Sequence, residues 1–225
     1  MSVSIHIKIN EKLFLRDPEL SELGINIVKH SILLIDKIGF EAFNFKKLAK
    51  EINSTEASIY RYFENKHKLL VYLTSWYWAW LEYLIDVNTR NIDKPEKRLK
   101  IIIRIISESH REYPNIAHIN ESKLHNIVVY ESSKAYLTKN VDEEYREGYF
   151  LHYKILCNRI AECIKAVNSD YIYSNTLASN LIETAHEQIF FAKHLKSLTD
   201  IKVEKEDYSG IAEFLEHIAF SVLKK

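Results

Sequence analysis

Glycine and proline are scarce in this chain, which has 4 Gly and 3 Pro among its 225 residues. Folds built from many short strands need many tight turns, and these two residues are the ones that most readily form them. The scarcity therefore argues against a many-stranded sandwich or barrel and favours helices joined by short polar connections. Because 47% of the residues are apolar, a chain of this length can bury a hydrophobic core without disulfides or metal ions.

Cysteine is also rare, with only Cys157 and Cys163 in the sequence. They lie six residues apart in one predicted helix and would point in different directions, so a disulfide between them is not expected. The ligand spacing of a metal site is missing around them and around four histidines, His118, His125, His152 and His186. The first ten residues contain no apolar segment of the kind found in secretory signals. These absences predict a cytoplasmic protein with no metal ion and no cofactor.

An excess of one charge is missing as well, because 31 Lys and Arg balance 31 Asp and Glu. Overall charge therefore selects no partner, and a case for nucleic-acid binding must rest on the local arrangement of residues. One segment resembles a membrane span, LLVYLTSWYWAWLEYLI at 69–85. It is shorter than the ~20 residues that a span needs and it contains Glu82. We therefore predict a helix that is buried on most sides, and no membrane partner.

The periodicity of apolar residues predicts an all-α fold. Val28, Ile32 and Ile35 recur at helical spacing, and Gly39 supplies a stop, so the first helix is predicted over 22–38. Three further helices are predicted to follow Asn44, Thr55 and Asn65, which are good N-caps, and to end near residues 52, 62 and 89. Another helix opens at Pro95, and the last ones are predicted over 121–137, 142–167, 175–198 and 209–223.

The second and third predicted helices are joined by a turn of three to four residues, the dimension of a helix-turn-helix. In that motif the later helix lies in the DNA major groove, and its N-terminal residues meet the base edges. The residues at this end are short, which permits a close approach: Thr55, Glu56, Ala57 and Ser58. Asn53 lies in the turn and is one of the few residue types that tolerate a positive φ.

Lysines occupy the starts of two predicted helices, Lys46 and Lys47 in the second and Lys66 and Lys68 in the fourth. A cation there opposes the helix dipole, at a cost of about 0.3–1 kcal/mol each. Such a placement is tolerated more readily when an anion occupies the helix start, where backbone N–H groups also bind phosphate. The lysines bracket a short helix that ends in Tyr-Arg-Tyr at 60–62. The arrangement favours DNA binding; the alternative is a solvated lysine face with tyrosines in the core.

The segment GFEAFNFKKLAKEINSTEASIYRYFENKHKLL at 39–70 resembles the DNA-binding signature of the TetR (tetracycline repressor) family of transcriptional regulators. The residues in register with that signature are Gly39, Phe40, Ala49, Ser58, Ile59, Tyr60, Tyr62, Phe63, Asn65, Lys66 and Leu69. Departures from it are Asn44 in place of threonine, Lys47 where an acid is common, and Asn53 and Ala57 in place of glycines. Glu56 puts an acid at a base-reading position, which affects the operator sequence rather than DNA binding itself.

The resemblance implies a role for each matching residue. It implies phosphate contacts from Asn44, Thr55, Ser58, Tyr60, Tyr62 and Lys66, and groove contacts from Lys46, Glu56, Ala57 and Arg61. We expect a helix-turn-helix domain over 21–66 and a larger helical domain for ligand binding and dimerisation over 67–225. Residues 1–20, with Lys8, Lys12 and Arg16, form an N-terminal arm that either contacts DNA, packs on the protein or is disordered.

The resemblance also implies that the C-terminal helices bind a small molecule and form a homodimer. Apolar stripes run along the last two helices, at 175–198 and 209–223: Leu177, Leu181, Ala185, Ile189, Ala192 and Leu195, then Ile211, Phe214, Leu215, Ile218, Val222 and Leu223. Two such helices from each subunit would make a four-helix interface; the alternative is that both stripes close the core of the monomer. Aromatic residues suited to an apolar ligand pocket, or equally to a core, are Trp76, Trp80, Tyr83, Tyr130 and Tyr153.

The sequence contains no acid–base pair, nucleophile motif or glycine-rich phosphate loop that would favour an enzyme. The expected function is therefore that of a ligand-responsive transcriptional regulator, with repression as the expected effect, which binds a palindromic operator as a dimer. In the mechanism that the resemblance implies, a small-molecule inducer tilts the fourth helix and changes the spacing of the two reading heads. The alternative is a helical ligand-binding protein or enzyme whose helix-turn-helix no longer binds DNA.

Overall fold

The computed structural model describes residues 7–108, 118–204 and 207–224. These residues form α-helices and three short 3₁₀ turns, Glu11–Leu13, Pro18–Leu20 and Lys196–Leu198, and they contain no strand. The predicted all-α fold is confirmed. The helices are α1 (Glu22–Ile38), α2 (Phe45–Glu51), α3 (Glu56–Tyr60), α4 (Lys66–Thr89), α5 (Pro95–Ser107), α6 (Glu121–Glu131), α7 (Ser133–Tyr136), α8 (Val141–Arg146), α9 (Leu151–Val167), α10 (Ser174–His194) and α11 (Ser209–Leu223).

The predicted bounds hold for α1 and α11, but two single helices predicted from periodicity are each divided. The helix predicted over 121–137 is α6 followed by α7, which meet at Ser132. The helix predicted over 142–167 is interrupted between α8 and α9, where Gly148 has a φ of 79°. A positive φ is incompatible with a right-handed helix, and glycine adopts it at little cost. The chain therefore turns at Gly148 instead of continuing.

The chain forms two compact units, each with its own apolar core. The first falls within Met1–Tyr77 and His110–Leu151, and the second within Trp78–Ser109 and His152–Lys225, so that α4 contributes residues to both. Side chains with no exposed surface fill the first unit, among them Leu13, Ile27, Ile32, Leu48, Ile59, Phe63 and Leu124. The second unit is filled in the same way, by residues that include Leu99, Ile103, Leu156, Ile160, Leu181, Ile189 and Leu215. The domain boundaries predicted from the sequence stay a prediction.

Candidate nucleic-acid interface

Helices α2 and α3 are very short, and side-chain caps stabilise both of them. The Asn44 side chain accepts a hydrogen bond of 2.9 Å from the backbone N–H of Lys47, and Thr55 accepts one of 3.2 Å from Ser58. Ser21 caps α1 in the same way. A capping oxygen satisfies one of the backbone donors that a helix start leaves without a partner. Asn44 and Thr55, which were predicted as caps, and Ser21, which was not, therefore define where α2, α3 and α1 begin. The third predicted cap, Asn65, accepts from the backbone N–H of Lys68 at 2.8 Å at the start of α4.

The connection between α2 and α3 covers residues 52–55 and has the geometry of a helix-turn-helix corner. Asn53 has a φ of 51° and is the one non-glycine residue with a positive φ among the described residues. The backbone N–H of Ser54 returns to the carbonyl of Ala49 at 2.8 Å, which closes the corner. Ile59 is fully buried and anchors α3 in the core of the first unit. The opposite side of α3 is left facing solvent.

The structure separates the predicted DNA-contacting residues by exposure. Asn44, Lys46, Thr55, Ala57, Tyr60 and Arg61 are exposed; Glu56, Ser58 and Lys66 are half-buried; Tyr62 is buried. The exposed set lies on α3 and at the start of α2, as the motif requires. Tyr60 is held in place because its ring meets Phe45 edge to face, with 5.0 Å between the ring centroids.

Lys66 does not point to solvent. Its ammonium group donates hydrogen bonds to three backbone carbonyls in the turn between α1 and α2, those of Phe40 at 3.0 Å, Glu41 at 3.3 Å and Phe43 at 3.3 Å. An ammonium group has three donors, so these carbonyls satisfy all of them. The expected direct contact of Lys66 with phosphate is therefore not supported by its placement in this structure.

Two more lysines of the cluster are engaged within the protein. Lys47 donates to the carbonyl of Ala42 at 2.7 Å, and Lys68 forms an ion pair of 2.7 Å with Glu64. The hydrogen bond to Glu64 raises the pKa of Lys68 above its usual value. Sequence spacing placed these cations at helix starts correctly, but it did not reveal the acceptors that bind them.

Tyr62 is likewise turned into the protein. It is 2% exposed, and its hydroxyl lies 2.7 Å from the side-chain oxygen of Ser21. The guanidinium group of Arg16 lies over its ring, 5.4 Å from the centroid. A phosphate contact from Tyr62 would require the side chain to leave this position, so its placement corresponds to the core alternative for the tyrosines.

The N-terminal arm is packed over residues 7–20, while residues 1–6 lie outside the described residues. The backbone N–H of Leu15 donates to the carbonyl of Tyr62 at 2.8 Å, directly beyond the end of α3. Asn10 donates to the carbonyl of Glu147 at 2.9 Å, and Lys12 forms an ion pair with the same residue at 3.4 Å. Of the three alternatives for the arm, packing on the protein is the one that residues 7–20 adopt.

The five candidate ligand-binding aromatics are divided between the two units. Trp76 is buried and Tyr130 is partly exposed in the first unit. Trp80 stacks on Tyr83 in the second, with ring centroids 5.4 Å apart, and the hydroxyl of Tyr153 donates to Glu183 at 2.6 Å. A polar cavity of about 500 Å³ in the first unit, near His67 and Glu144, is lined by none of these five residues. The role of all five in ligand binding stays a prediction.

Sequence reasoning missed a buried aromatic cluster in the second unit. Trp78 packs against Tyr153 at 4.8 Å and against His186 at 5.4 Å, measured between ring centroids. Burial lowers the pKa of His186 to about 4, so its imidazole is neutral near pH 7. The signal was present in the sequence, because His186 lies four residues after Ile182 and three before Ile189, on the apolar face of α10.

The described residues contain no group of three His, Cys, Asp or Glu side chains that could hold a metal ion. None of the helices in this described part of the chain is both long enough and apolar enough to cross a membrane.

Comparison with known proteins identifies the N-terminal region. Residues 27–73 match the family described as bacterial regulatory proteins, tetR family. The matched segment contains most of α1, all of α2 and α3, and the start of α4. No curated protein matches the chain in sequence.

Solved structures resemble the chain over most of its length. AibR in complex with isovaleryl coenzyme A and operator DNA has a TM-score of 0.58 and 18% identity, covering 85% of this chain and 95% of AibR. The fatty acid degradation regulator FadR from Bacillus halodurans has a TM-score of 0.59 and 16% identity, with coverages of 86% and 92%. The superantigen PfiT has a TM-score of 0.60 and 17% identity, with coverages of 93% and 100%. At such identities the structural likeness establishes the fold, and the sequence match over 27–73 establishes more: the chain carries the N-terminal helix-turn-helix domain of the TetR family of bacterial regulatory proteins.

Proposed function

We propose that the protein is a DNA-binding transcriptional regulator that responds to a small-molecule ligand, with repression as its expected effect and the cytoplasm as its place of action. The observation that carries the proposal is the helix-turn-helix corner, in which α3 is anchored by Ile59 and leaves Thr55, Ala57 and Arg61 exposed. The AibR structure, which holds isovaleryl coenzyme A and operator DNA together, supports the pairing of ligand and DNA on this fold.

On DNA, α3 enters the major groove with its N-terminal residues on the base edges. Glu56 is half-buried at this end, and a carboxylate there accepts a hydrogen bond from the N4 amino group of cytosine. Ala57 is exposed and small, so it permits close approach of the helix to the bases. Tyr60 and Asn44 are exposed at the edges of this surface, where hydroxyl and amide groups bind phosphate oxygens.

The test is a binding titration with DNA that flanks the protein's own gene, comparing two alanine-to-glutamate variants. Ala57→Glu places bulk and negative charge on the reading face and should weaken binding by about tenfold or more. Ala166→Glu is the matched control, because Ala166 is also exposed but lies on α9 in the second unit. If both variants bind as the wild type does, α3 does not read DNA.

A second candidate is a helical ligand-binding protein or an enzyme whose helix-turn-helix does not bind DNA. PfiT, which has the same fold and is a superantigen, supports keeping this candidate, because the fold is compatible with other functions. A wild-type protein that binds neither its flanking DNA nor any duplex selected from a random pool would favour this alternative.

We further propose that the protein dimerises through α10 and α11. Most of the two predicted stripes is buried within the second unit, but Phe214, Ile218 and Val222 form another line on α11 at four-residue spacing. Phe214 is 37% exposed and Val222 is 45% exposed. An apolar line that remains accessible beside a closed core suits a self-complementary interface between two copies.

Phe214→Glu combined with Ile218→Glu should therefore give a folded monomer that binds the operator much more weakly. Light scattering measures the mass, and circular dichroism checks that the helices remain. His217→Glu is the control, because His217 lies exposed on the same helix between the two positions. A double variant that remains dimeric would place the interface elsewhere.

Ligand response is tested through linkage. Trp76, Trp78 and Trp80 all lie on α4, so an inducer that alters this helix should change tryptophan emission as it weakens DNA binding. Saturating operator must then lower the affinity for the inducer by the same factor. An inducer that binds equally well with and without operator would contradict the allosteric part of the proposal.

A further inference from the structure

The turn between α1 and α2 is held from two sides by side chains that are distant in sequence. The backbone N–H of Phe40 donates to a carboxylate oxygen of Glu131 at 2.9 Å, and the carbonyl of the same residue accepts from Lys66 at 3.0 Å. Glu131 is the last residue of α6, and Lys66 is the first residue of α4. A single residue in the turn is therefore bound to two different helices.

The Glu131 side of this arrangement is largely closed to solvent. Its side chain is 12% exposed, and its second carboxylate oxygen forms an ion pair of 2.8 Å with Lys134. Lys134 also pairs with Glu41 in the turn at 2.9 Å. The hydrogen bond with Glu131 raises the pKa of Lys134, so the cation is retained throughout the physiological range. A buried carboxylate with this many partners is costly to displace.

The Lys66 side is closed in a different way. The three carbonyls that it binds belong to the turn, and its ammonium group also lies 4.6 Å from the centroid of the Phe40 ring. Phe40 and Phe43 are both buried, so the turn is fixed by apolar packing between its polar ties. A phosphate group would have to compete with the three carbonyls for the same donors.

We propose that Lys66 and Glu131 are positioning residues for DNA binding, an inference that rests on the proposed DNA-binding function. Both act on the turn, which runs directly into Asn44 and Lys46 at the start of α2. Neither side chain touches DNA. Phosphate contacts fix the register of a protein on the duplex, so a displaced α2 start weakens binding although the contacting residues are unchanged. Because Glu131 lies on α6, it also makes DNA affinity depend on the position of that helix.

The first experiment separates positioning from phosphate contact. Lys66→Met keeps most of the stem over Phe40 and removes the ammonium group. Binding is measured over a salt series with a duplex selected from a random pool. The variant should bind about tenfold more weakly with the wild-type salt slope, because it loses no phosphate contact. Lys46→Met is the matched control, because Lys46 is exposed at the start of α2 and its cation neutralises DNA charge even where it reaches into the groove, so its loss should reduce the slope by about one. A slope reduced by about one in Lys66→Met would overturn the inference.

A second comparison separates positioning from a general loss of stability. Glu131→Gln keeps an oxygen that can accept from Phe40, whereas Glu131→Met does not. Glu131→Gln should therefore bind DNA with an affinity close to that of the wild type, whereas Glu131→Met should bind about tenfold more weakly. Stoichiometric titration with DNA should show that all molecules of both variants are active. A destabilised protein would instead show fewer active molecules with unchanged affinity. Equal affinities for the two variants would contradict the role of the Phe40 hydrogen bond.

Hydrogen exchange in the free protein gives a readout that needs no DNA. Lys66→Met and Glu131→Met should both speed exchange of the amides of Phe40 and Lys47, which lie in the turn and in the first turn of α2. Unchanged exchange in both variants would overturn the inference whatever the DNA result. If the wild type binds no duplex but the variants exchange faster, the proposed DNA-binding function is contradicted. The role of Lys66 and Glu131 in fixing the turn would still stand.

Discussion

The first three helices of the first unit and three helices of the second unit begin in different ways. In the first unit, α1, α2 and α3 begin with Ser21, Asn44 and Thr55, whose side chains cap them. Among the described helices of the second unit, α5, α10 and α11 begin without a side-chain cap. These three have 13, 21 and 15 residues and are longer than α2 and α3, which have 7 and 5. The capped α1 has 17 residues, so length separates only α2 and α3 from the uncapped set.

For α3 and α10 the difference follows from how much apolar surface each helix can bury. A helix of five residues is too short to be stable by itself, and α3 must also leave one face free for a ligand. Local hydrogen bonds therefore have to fix its start. A helix of 21 residues such as α10 presents several turns of apolar surface to its neighbours, so packing fixes it without a cap. The two short helices that are proposed to act on DNA, α2 and α3, both begin with a side-chain cap.

The largest effect is expected from Leu181→Ala. Leu181 is fully buried on α10, and removing its side chain should lower the free energy of unfolding by about 2–5 kcal/mol. Urea denaturation measures the change. Leu198→Ala is the control, because Leu198 is 60% exposed and should change stability little. Similar midpoints for both variants would show that apolar packing of α10 is not what stabilises the second unit.

A pH-dependent effect is expected from His186. Burial lowers its folded-state pKa from 6.5 to about 4, so between these values the unfolded chain binds a proton that the folded chain does not. The free energy of unfolding should therefore fall as the pH is lowered from 6.5 to about 4, by up to about 3 kcal/mol in total. Above pH 6.5 this group has no effect on the pH dependence. His186→Gln should flatten this part of the stability curve, and His217→Gln should not. Parallel curves for His186→Gln and the wild type would contradict the assignment.

A smaller effect is expected from the cap of α3. Thr55→Val keeps the shape of the side chain and removes the oxygen that accepts from Ser58. The free energy of unfolding should fall by about 1 kcal/mol. Asn175→Ala is the matched change in the second unit, where the exposed Asn175 lies in the first turn of the uncapped α10, and it should cost less. Equal losses in thermal denaturation would remove the distinction between the two sets of helices.

The smallest effect of all is expected from a glycine at the corner of the helix-turn-helix. Asn53 has a φ of 51°, which glycine adopts freely and alanine does not. Asn53→Gly should stay within about 0.5 kcal/mol of the wild type, whereas Asn53→Ala should cost about 1 kcal/mol. The comparison is made by urea denaturation. An alanine variant as stable as the glycine variant would mean that the corner relaxes to a negative φ.

Sequence predicted those features that depend on neighbours along the chain. Periodicity gave the bounds of α1, and capping chemistry placed the starts of α2 and α3 at Asn44 and Thr55. The contacts of Lys66 could not be predicted in this way, since its acceptors lie 23 to 26 residues away and Glu131 lies 91 residues from Phe40. Local patterns carry no information on such pairs. The interruption at Gly148 was missed because a glycine within a periodic segment is often tolerated by a helix.

The close approach of the arm to α1 has a consequence for sorting homologous sequences. A Cβ atom at Gly24 would lie 2.3 Å from the carbonyl oxygen of Pro18 and 2.6 Å from its Cα, and both atoms belong to the backbone. Any larger residue at this position must push the 3₁₀ turn of the arm away from the helix. A proline followed six residues later by a glycine in the first turn of α1 is therefore a sequence signature that can be searched for. It separates relatives whose N-terminal arm can pack on α1 as it does here from relatives whose arm cannot.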